Sequence, residues 1–136
     1  CPGLVGQIEA GALDAPRTRR ILEDALGPML SQGIDTVVLG CTHYPFVIPL
    51  IQEIVGPEVQ VIDPAPAVAR QTRRLLEANA LLQSSDPGHA KPDSSLIRFL
   101  TTGDPRRFKS LLLKLLAEET DVEKVVSLPQ GRLSFL

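Results

Sequence analysis

The sequence predicts an α/β fold built on a parallel sheet, and three observations carry that expectation. Short apolar, β-branched runs alternate with stretches of helical periodicity along the 136 residues, the pattern of a strand–helix repeat. The run Thr36-Val37-Val38-Leu39 has no polar alternation, which marks a strand buried on both faces. Connections between the runs are short, apart from a Ser-, Pro-, Asp- and Gly-rich stretch over 84–95 that reads as a linker or loop.

Taken in order, Leu4, Val5 and Ile8 form an apolar opening broken by Pro2, Gly3 and Gly6, so a strand end or loop is expected. Asp14 is placed to cap a helix whose first turn holds Pro16. Ile21, Leu22, Ala25, Leu26, Met29 and Leu30 recur at helical spacing. Gly27-Pro28 predicts a kink within that helix, and Gly33 its stop. After Thr36–Leu39, the residues Val47, Leu50, Ile51, Ile54 and Val55 form a helical stripe closed by Gly56. Val59 to Ile62 is a second short strand. Asp63-Pro64-Ala65-Pro66 opens a helix with Val68, Thr72, Leu75, Leu76 and Leu82 on its inner face. Leu96 to Thr102 is a strand, and Gly103-Asp104-Pro105 starts a helix with Phe108, Leu111, Leu112, Leu115 and Leu116 as its buried stripe. Val122 to Leu128 is the last strand. Residues 129–136 form a tail without an assigned structure.

Composition narrows the function classes. The chain is 43% hydrophobic and 22% charged, with a net charge of −2, so nothing basic favours nucleic acid. No apolar run reaches membrane-spanning length, and no basic-then-apolar opening marks a signal peptide. Two cysteines, one of them Cys1, do not make a disulfide scaffold, and a reduced cytoplasmic setting is expected. Opening at Cys1 rather than Met suggests a fragment or a processed product. With aromatics at 4%, the core must be aliphatic.

The chemistry gathers in Gly40-Cys41-Thr42-His43-Tyr44-Pro45. Ligands of open parallel sheets bind at the carboxyl ends of strands, and Cys41 follows such a strand. A helix start after it would supply free amide donors and a partial positive charge, which favour a thiolate and hold a carboxylate. Thr42 adds a hydroxyl, His43 a proton carrier, and Asp63 ends the neighbouring strand. The competing reading makes Cys41 a small buried hydrophobe and the residues after it helix-capping groups. A zinc site is not expected: Cys41-x-His43 lacks a second ligand pair at familiar spacing. Arg73-Arg74 and Arg106-Arg107 read as solvated helix faces.

Leu39-Gly40-Cys41-Thr42-His43-Tyr44-Pro45 resembles the second catalytic-cysteine motif of bacterial glutamate racemases, within the Asp/Glu racemase family. Cys1 to Glu9, Gly33 to Val38, Val61-Ile62-Asp63 and Phe99 to Gly103 resemble further family segments in the same order. The resemblance implies an α/β parallel-sheet sandwich, with portions of two pseudosymmetric lobes. Residues 1–62 would belong to the lobe carrying the second catalytic cysteine. Residues 63–128 would return to the other lobe. It implies a cytoplasmic bacterial isomerase that interconverts L- and D-glutamate for peptidoglycan synthesis without cofactor or metal. Two thiols would work on opposite faces of the substrate Cα. Cys41 would be the base on the L-glutamate face, His43 its proton-transfer partner, Thr42 a carboxylate ligand and Glu9 an acidic group tuning that side.

The family's first cysteine, in an Asn-Thr-containing loop, and its early Asp-Ser-Gly segment have no counterpart in this sequence, and Cys1 matches a non-catalytic position. Gly3 and Gly6 replace larger residues or proline, and Pro64 and Pro66 a Ser-Gly-containing turn. The expectation is therefore the C-terminal half of a racemase, inactive alone, with glutamate as its small-molecule substrate and self-association in a homo-oligomer. An aspartate racemase and a non-catalytic, self-associating module are the alternatives.

Overall fold

The computed structural model describes residues 1–82 and 97–135. The expected linker at 84–95 and the start of the strand at Leu96 lie outside the described residues. The chain divides into two compact units, Cys1–Ser84 and Ser85–Leu136.

In the first unit, α1 (Leu4–Glu9) and α2 (Pro16–Leu30) precede β1 (Thr36–Val38). A 3-10 turn (Tyr44–Val47) leads into α3 (Ile48–Val55), followed by β2 (Gln60–Ile62) and α4 (Ala65–Ala78). Strands β1 and β2 pair in parallel, with Thr36, Val37 and Val38 opposite Gln60, Val61 and Ile62. The core is aliphatic. Leu4, Ile8, Leu22, Leu26, Val37, Leu39, Val47, Leu50, Ile51, Val55 and Val59 are all buried. Such burial is the main favourable term in folding.

Several expectations are corrected in this unit. The opening is a helix rather than a strand end, because Leu4 and Ile8 stand one helical turn apart and both are fully buried. Asp14 does not cap α2: Ala15 holds the cap position without a side-chain bond, and Pro16 opens the helix. The preceding loop is tied instead by the buried Thr18 hydroxyl, which donates to the Ala12 carbonyl at 2.5 Å. Helix α2 runs without a break through Pro28. The bond that Pro28 cannot make belongs to the Asp24 carbonyl; both residues are exposed, so water can satisfy that acceptor. Strand β1 is buried on one face only: Val37 and Leu39 are buried, while Val38 between them is 64% exposed. A two-stranded ribbon has one packed face, so the apolar run here does not mean burial on both. Helix α4 forms where expected, yet none of its residues is buried.

Two glycines do what their positions require. Gly33 (φ 76°) and Gly56 (φ 80°) take left-handed backbone after α2 and α3, where a side chain would be strained. Gln52 then staples the end of α3 to the approach of β2, its amide donating to the Gly56 and Val59 carbonyls at 2.6 and 3.0 Å.

The second unit holds β3 (Phe99–Thr101), α5 (Pro105–Leu116), β4 (Val122–Ser127), a 3-10 turn (Pro129–Gly131) and β5 (Leu133–Phe135). Strands β3 and β4 are parallel, and β5 pairs antiparallel with β4. The tail thus adds a strand, and the sheet is not purely parallel. The reversal rests on positive φ at Gln130 (68°) and Gly131 (73°), closed by Leu128 N to Arg132 O at 2.7 Å. Asp104 caps α5 as expected, accepting from Arg106 N at 2.9 Å. Leu112 and Val125 are the buried apolar side chains of the described part of this unit. Phe99 and Phe108 meet edge to face at 6.3 Å beside them. Among the described residues no helix is long and apolar enough to cross a membrane.

Candidate active site at the Cys41 turn

Pairing between the two strands continues one residue past β1, where Leu39 N donates to Ile62 O at 3.0 Å. Because the pair is parallel, the residues after Leu39 and those after Ile62 leave the same edge. Cys41, Thr42 and His43 form the turn at that edge. The first bond of the 3-10 turn runs from Tyr44 N to Cys41 O at 3.3 Å, and Phe46 N to His43 O follows at 3.2 Å. The amides of Thr42 and His43 therefore precede this ladder, where helix-start donors are free to meet an anion. The element that follows the thiol is this single 3-10 turn rather than the α-helix expected; α3 begins only at Ile48.

The site's groups come from two elements. Burial of Leu4 and Ile8 fixes α1 against the fold, and Glu9, the last residue of α1, lies next to Ile8. Its Oε1 is 3.4 Å from Nε2 of His43. On the other side of the ring, Thr42 Oγ1 is 3.4 Å from His43 Nδ1. The imidazole is thus bracketed by a carboxylate and a hydroxyl. With Nε2–H facing Glu9, Nδ1 accepts from the Thr42 hydroxyl, which sets one tautomer. Both contacts are long and half-exposed. Cys41 is a free, half-buried thiol. Cys1 is free and exposed; its carbonyl accepts from Leu4 N at 3.3 Å and starts α1.

Asp63 lies at the shared edge, but its Oδ1 accepts from Ala65 N at 2.9 Å and opens α4. The structure therefore joins Thr42, His43 and Glu9 and gives Asp63 a turn-forming bond. Among the described residues no three His, Cys, Asp or Glu side chains gather as a metal site would require. The second unit has a cleft of about 330 Å³ lined by Arg106, Lys109, Ser110, Leu113, Glu118 and Glu119, with neither thiol nor imidazole.

The sequence did not single out Lys124, whose ammonium donates to the Thr102 carbonyl at 2.9 Å and also to that of Gly103. A lone lysine in a β-rich run gave no signal of this, because the partners are main-chain groups 22 and 21 residues away.

A parallel strand pair with a thiol and an imidazole on the turn at its carboxyl edge defines an α/β protein whose candidate site lies where such folds bind ligands. Residues 1–72 match the family model described as Asp/Glu/Hydantoin racemase. The chain belongs to that family. It is 48% identical over 126 residues to the glutamate racemase of Pseudomonas aeruginosa (strain UCBPP-PA14), covering 93% of this chain and 45% of that protein. The glutamate racemase of Roseiflexus sp. (strain RS-1) is 43% identical over 115 residues, 85% of this chain and 40% of that protein. Among solved structures, glutamate racemase isoform RacE1 from Bacillus anthracis matches 95% of this chain and 46% of its own, with a TM-score of 0.75 at 29% identity. The Francisella tularensis glutamate racemase, solved in complex with D-glutamate, gives 0.71 at 28% identity over 93% of this chain and 45% of that one. The chain thus spans a little under half the length of the relatives it matches.

Proposed function

We propose that this chain supplies one proton-transferring wall of a cofactor-independent glutamate racemase, in the bacterial cytoplasm, where D-glutamate feeds peptidoglycan synthesis. The observation that carries the reading is the Cys41-Thr42-His43 turn at a parallel-strand edge with Glu9 at 3.4 Å from His43, in a chain 48% identical to a glutamate racemase.

The Cys41 thiolate removes the α-proton from the L-glutamate face and becomes a thiol. The electron pair moves into the α-carboxylate, whose growing charge is held by the Thr42 hydroxyl and the free amides of the turn. An acid on the opposite face then delivers a proton to Cα, giving D-glutamate, and is left as the conjugate base. His43, oriented by Glu9 and Thr42, shuttles the proton at Cys41. One thiol serves one face, so racemisation needs a second acid opposite Cys41.

The test is a graft. The matching 126 residues of the Pseudomonas racemase are replaced by this chain's, and L-glutamate is followed by chiral chromatography in heavy water. The expected result is D-glutamate with deuterium at Cα, while the 136-residue chain alone yields none. A graft that folds yet turns over aspartate and not glutamate overturns the substrate assignment. Undiminished racemisation with Cys41→Ala overturns the assignment of the thiol.

A further inference from the structure

Among the described residues, Thr18 is the one buried polar side chain, with no exposed surface at all. A buried hydroxyl is costly unless it is bonded, and this one donates to the Ala12 carbonyl at 2.5 Å. The acceptor lies three residues after Glu9, in a loop that main-chain bonds tie back to α1. Ala10 N donates to Gly6 O at 3.1 Å, Gly11 N to Ile8 O at 2.7 Å and Ala12 N to Gln7 O at 2.9 Å. The end of α1 and this loop therefore form one piece. Helix α1 has only six residues, too few to hold a helix in water unaided. Leu4 and Ile8 anchor it by burial, but apolar contact is non-directional and does not fix rotation about the helix axis. The directional bond from α2 to the piece that carries Glu9 is that of Thr18.

Helix α2 also reaches the other partner of the site. Arg19, next to Thr18, meets Glu53 of α3 at 2.5 Å, and α3 continues the 3-10 turn that follows His43. Both side chains of that pair are exposed, so water and salt weaken it. The sealed Thr18 bond is the firmer of the two ties.

We propose that Thr18 is a positioning residue for the site: by holding the Ala12 carbonyl it sets the 3.4 Å approach of Glu9 to His43. It acts only through Glu9, by fixing where the carboxylate stands beside the imidazole Nε2. Its effect on turnover rests on the racemase reading above; its effect on the Glu9–His43 contact does not.

Two readouts test this. Proton–nitrogen correlation spectra of the imidazoles read the contact in the chain itself, with His43→Ala telling its two histidines apart. Glu9→Gln is expected to move the His43 Nε2 signal. Thr18→Val, which keeps the shape and removes the hydroxyl, moves it the same way and adds nothing in a Glu9→Gln chain. Thr18→Ser keeps the wild-type position, and so does Arg19→Met. In the grafted racemase, Thr18→Val lowers kcat about tenfold with KM unchanged, the mark of a misplaced group rather than of lost substrate binding, and Thr18→Ser restores it. The loss does not multiply with that of Glu9→Gln, because both variants remove one contact. If Thr18→Val fails to fold by circular dichroism, Gly11→Ala opens the same bond from the loop side, since the left-handed backbone at Gly11 (φ 67°) leads directly to the Ala12 carbonyl, and the same readings apply. A folded Thr18→Val chain whose His43 signal stays in place overturns the proposal. So does a Glu9→Gln chain that leaves that signal unmoved, or a kcat loss that multiplies with that of Glu9→Gln. A wild-type graft that does not racemise overturns the racemase reading instead, and the spectra still decide the role of Thr18.

Discussion

The two units contain the same building block and finish it differently. In each, a three-residue strand passes through a turn and a helix to a parallel partner, β1 to β2 and β3 to β4. The turn after β3 is closed by its own groups. Thr101 Oγ1 accepts from Gly103 N at 3.0 Å, and Asp104 Oδ1 accepts from Arg106 N at 2.9 Å. Lys124 reaches across from β4 to the Thr102 and Gly103 carbonyls. The turn after β1 carries polar groups as dense, but Thr42, His43 and Glu9 meet only at 3.4 Å. A turn at a strand's carboxyl edge can spend its polar groups on itself, which gives stability, or hold them loosely for a ligand, which gives chemistry.

The largest effect expected from this contrast falls on Cys41. In the grafted racemase, Cys41→Ala removes the proposed base and lowers racemisation about 10³-fold or more. His43→Ala leaves the proposed base and removes its proposed shuttle, for a loss of about 10²-fold. Glu9→Gln keeps the contact to His43 but removes its charge, and costs less than His43→Ala. Steady-state kinetics in both directions check the order. A Glu9→Gln loss equal to that of His43→Ala would show that Glu9 does more than orient the ring.

The closed turn answers in stability. Asp104→Ala strips the α5 cap and costs about 1 kcal/mol. Lys124→Met removes a charged donor from two exposed carbonyls that water can then satisfy, at about 1 kcal/mol or less. Denaturant titration of the chain, followed by hydrogen exchange at the β3 and β4 amides, reads both. Single replacements in the first turn, Thr42→Ala for instance, should move the midpoint by less, since contacts at 3.4 Å hold little of the fold together.

The sequence announces what rests on local rules and hides what rests on partners. Strands at Val37 and Val61, the Gly56 stop and the Asp104-Pro105 start follow from propensity and capping, and all stand. The Cys41 turn is readable because its residues are adjacent. Glu9 is placed only by resemblance, since its approach to His43 needs α1, and α1 is masked by Gly3 and Gly6 in so short a run. The exposed faces of Val38 and α4 read as buried, because periodicity reports a face fit for burial and says nothing of whether a neighbour is present. The hairpin ending in β5 depends on left-handed backbone at Gln130, a conformation uncommon for a residue with a side chain.

The smallest effect expected concerns acid. In the second unit, Lys109 holds Asp121 at 2.7 Å, and Arg98 holds Glu123 through two bonds of 2.8 and 2.7 Å. These hydrogen bonds and charges push both carboxyls below their ordinary values of 3.8 and 4.5. A carboxyl with a lowered folded value binds protons more readily once unfolded, so its contribution is complete above the ordinary value and is lost as pH falls through the depressed one. The cations give the mirror image: Lys109 is raised above 10.5 by the same Asp121 contact, so its share is intact below that value and is lost as pH rises through the raised one. Both pairs are solvent-exposed, and salt screens them. The expected result is a shallow acid limb in the thermal midpoint below about pH 4, flattened by Glu123→Gln and by added salt. The Cys41 turn has no such pairs beyond the long Glu9 contact. A Glu9→Gln variant that removed as much of the acid limb as Glu123→Gln would make the first turn a stabilising element too, and the contrast between the two turns would fail.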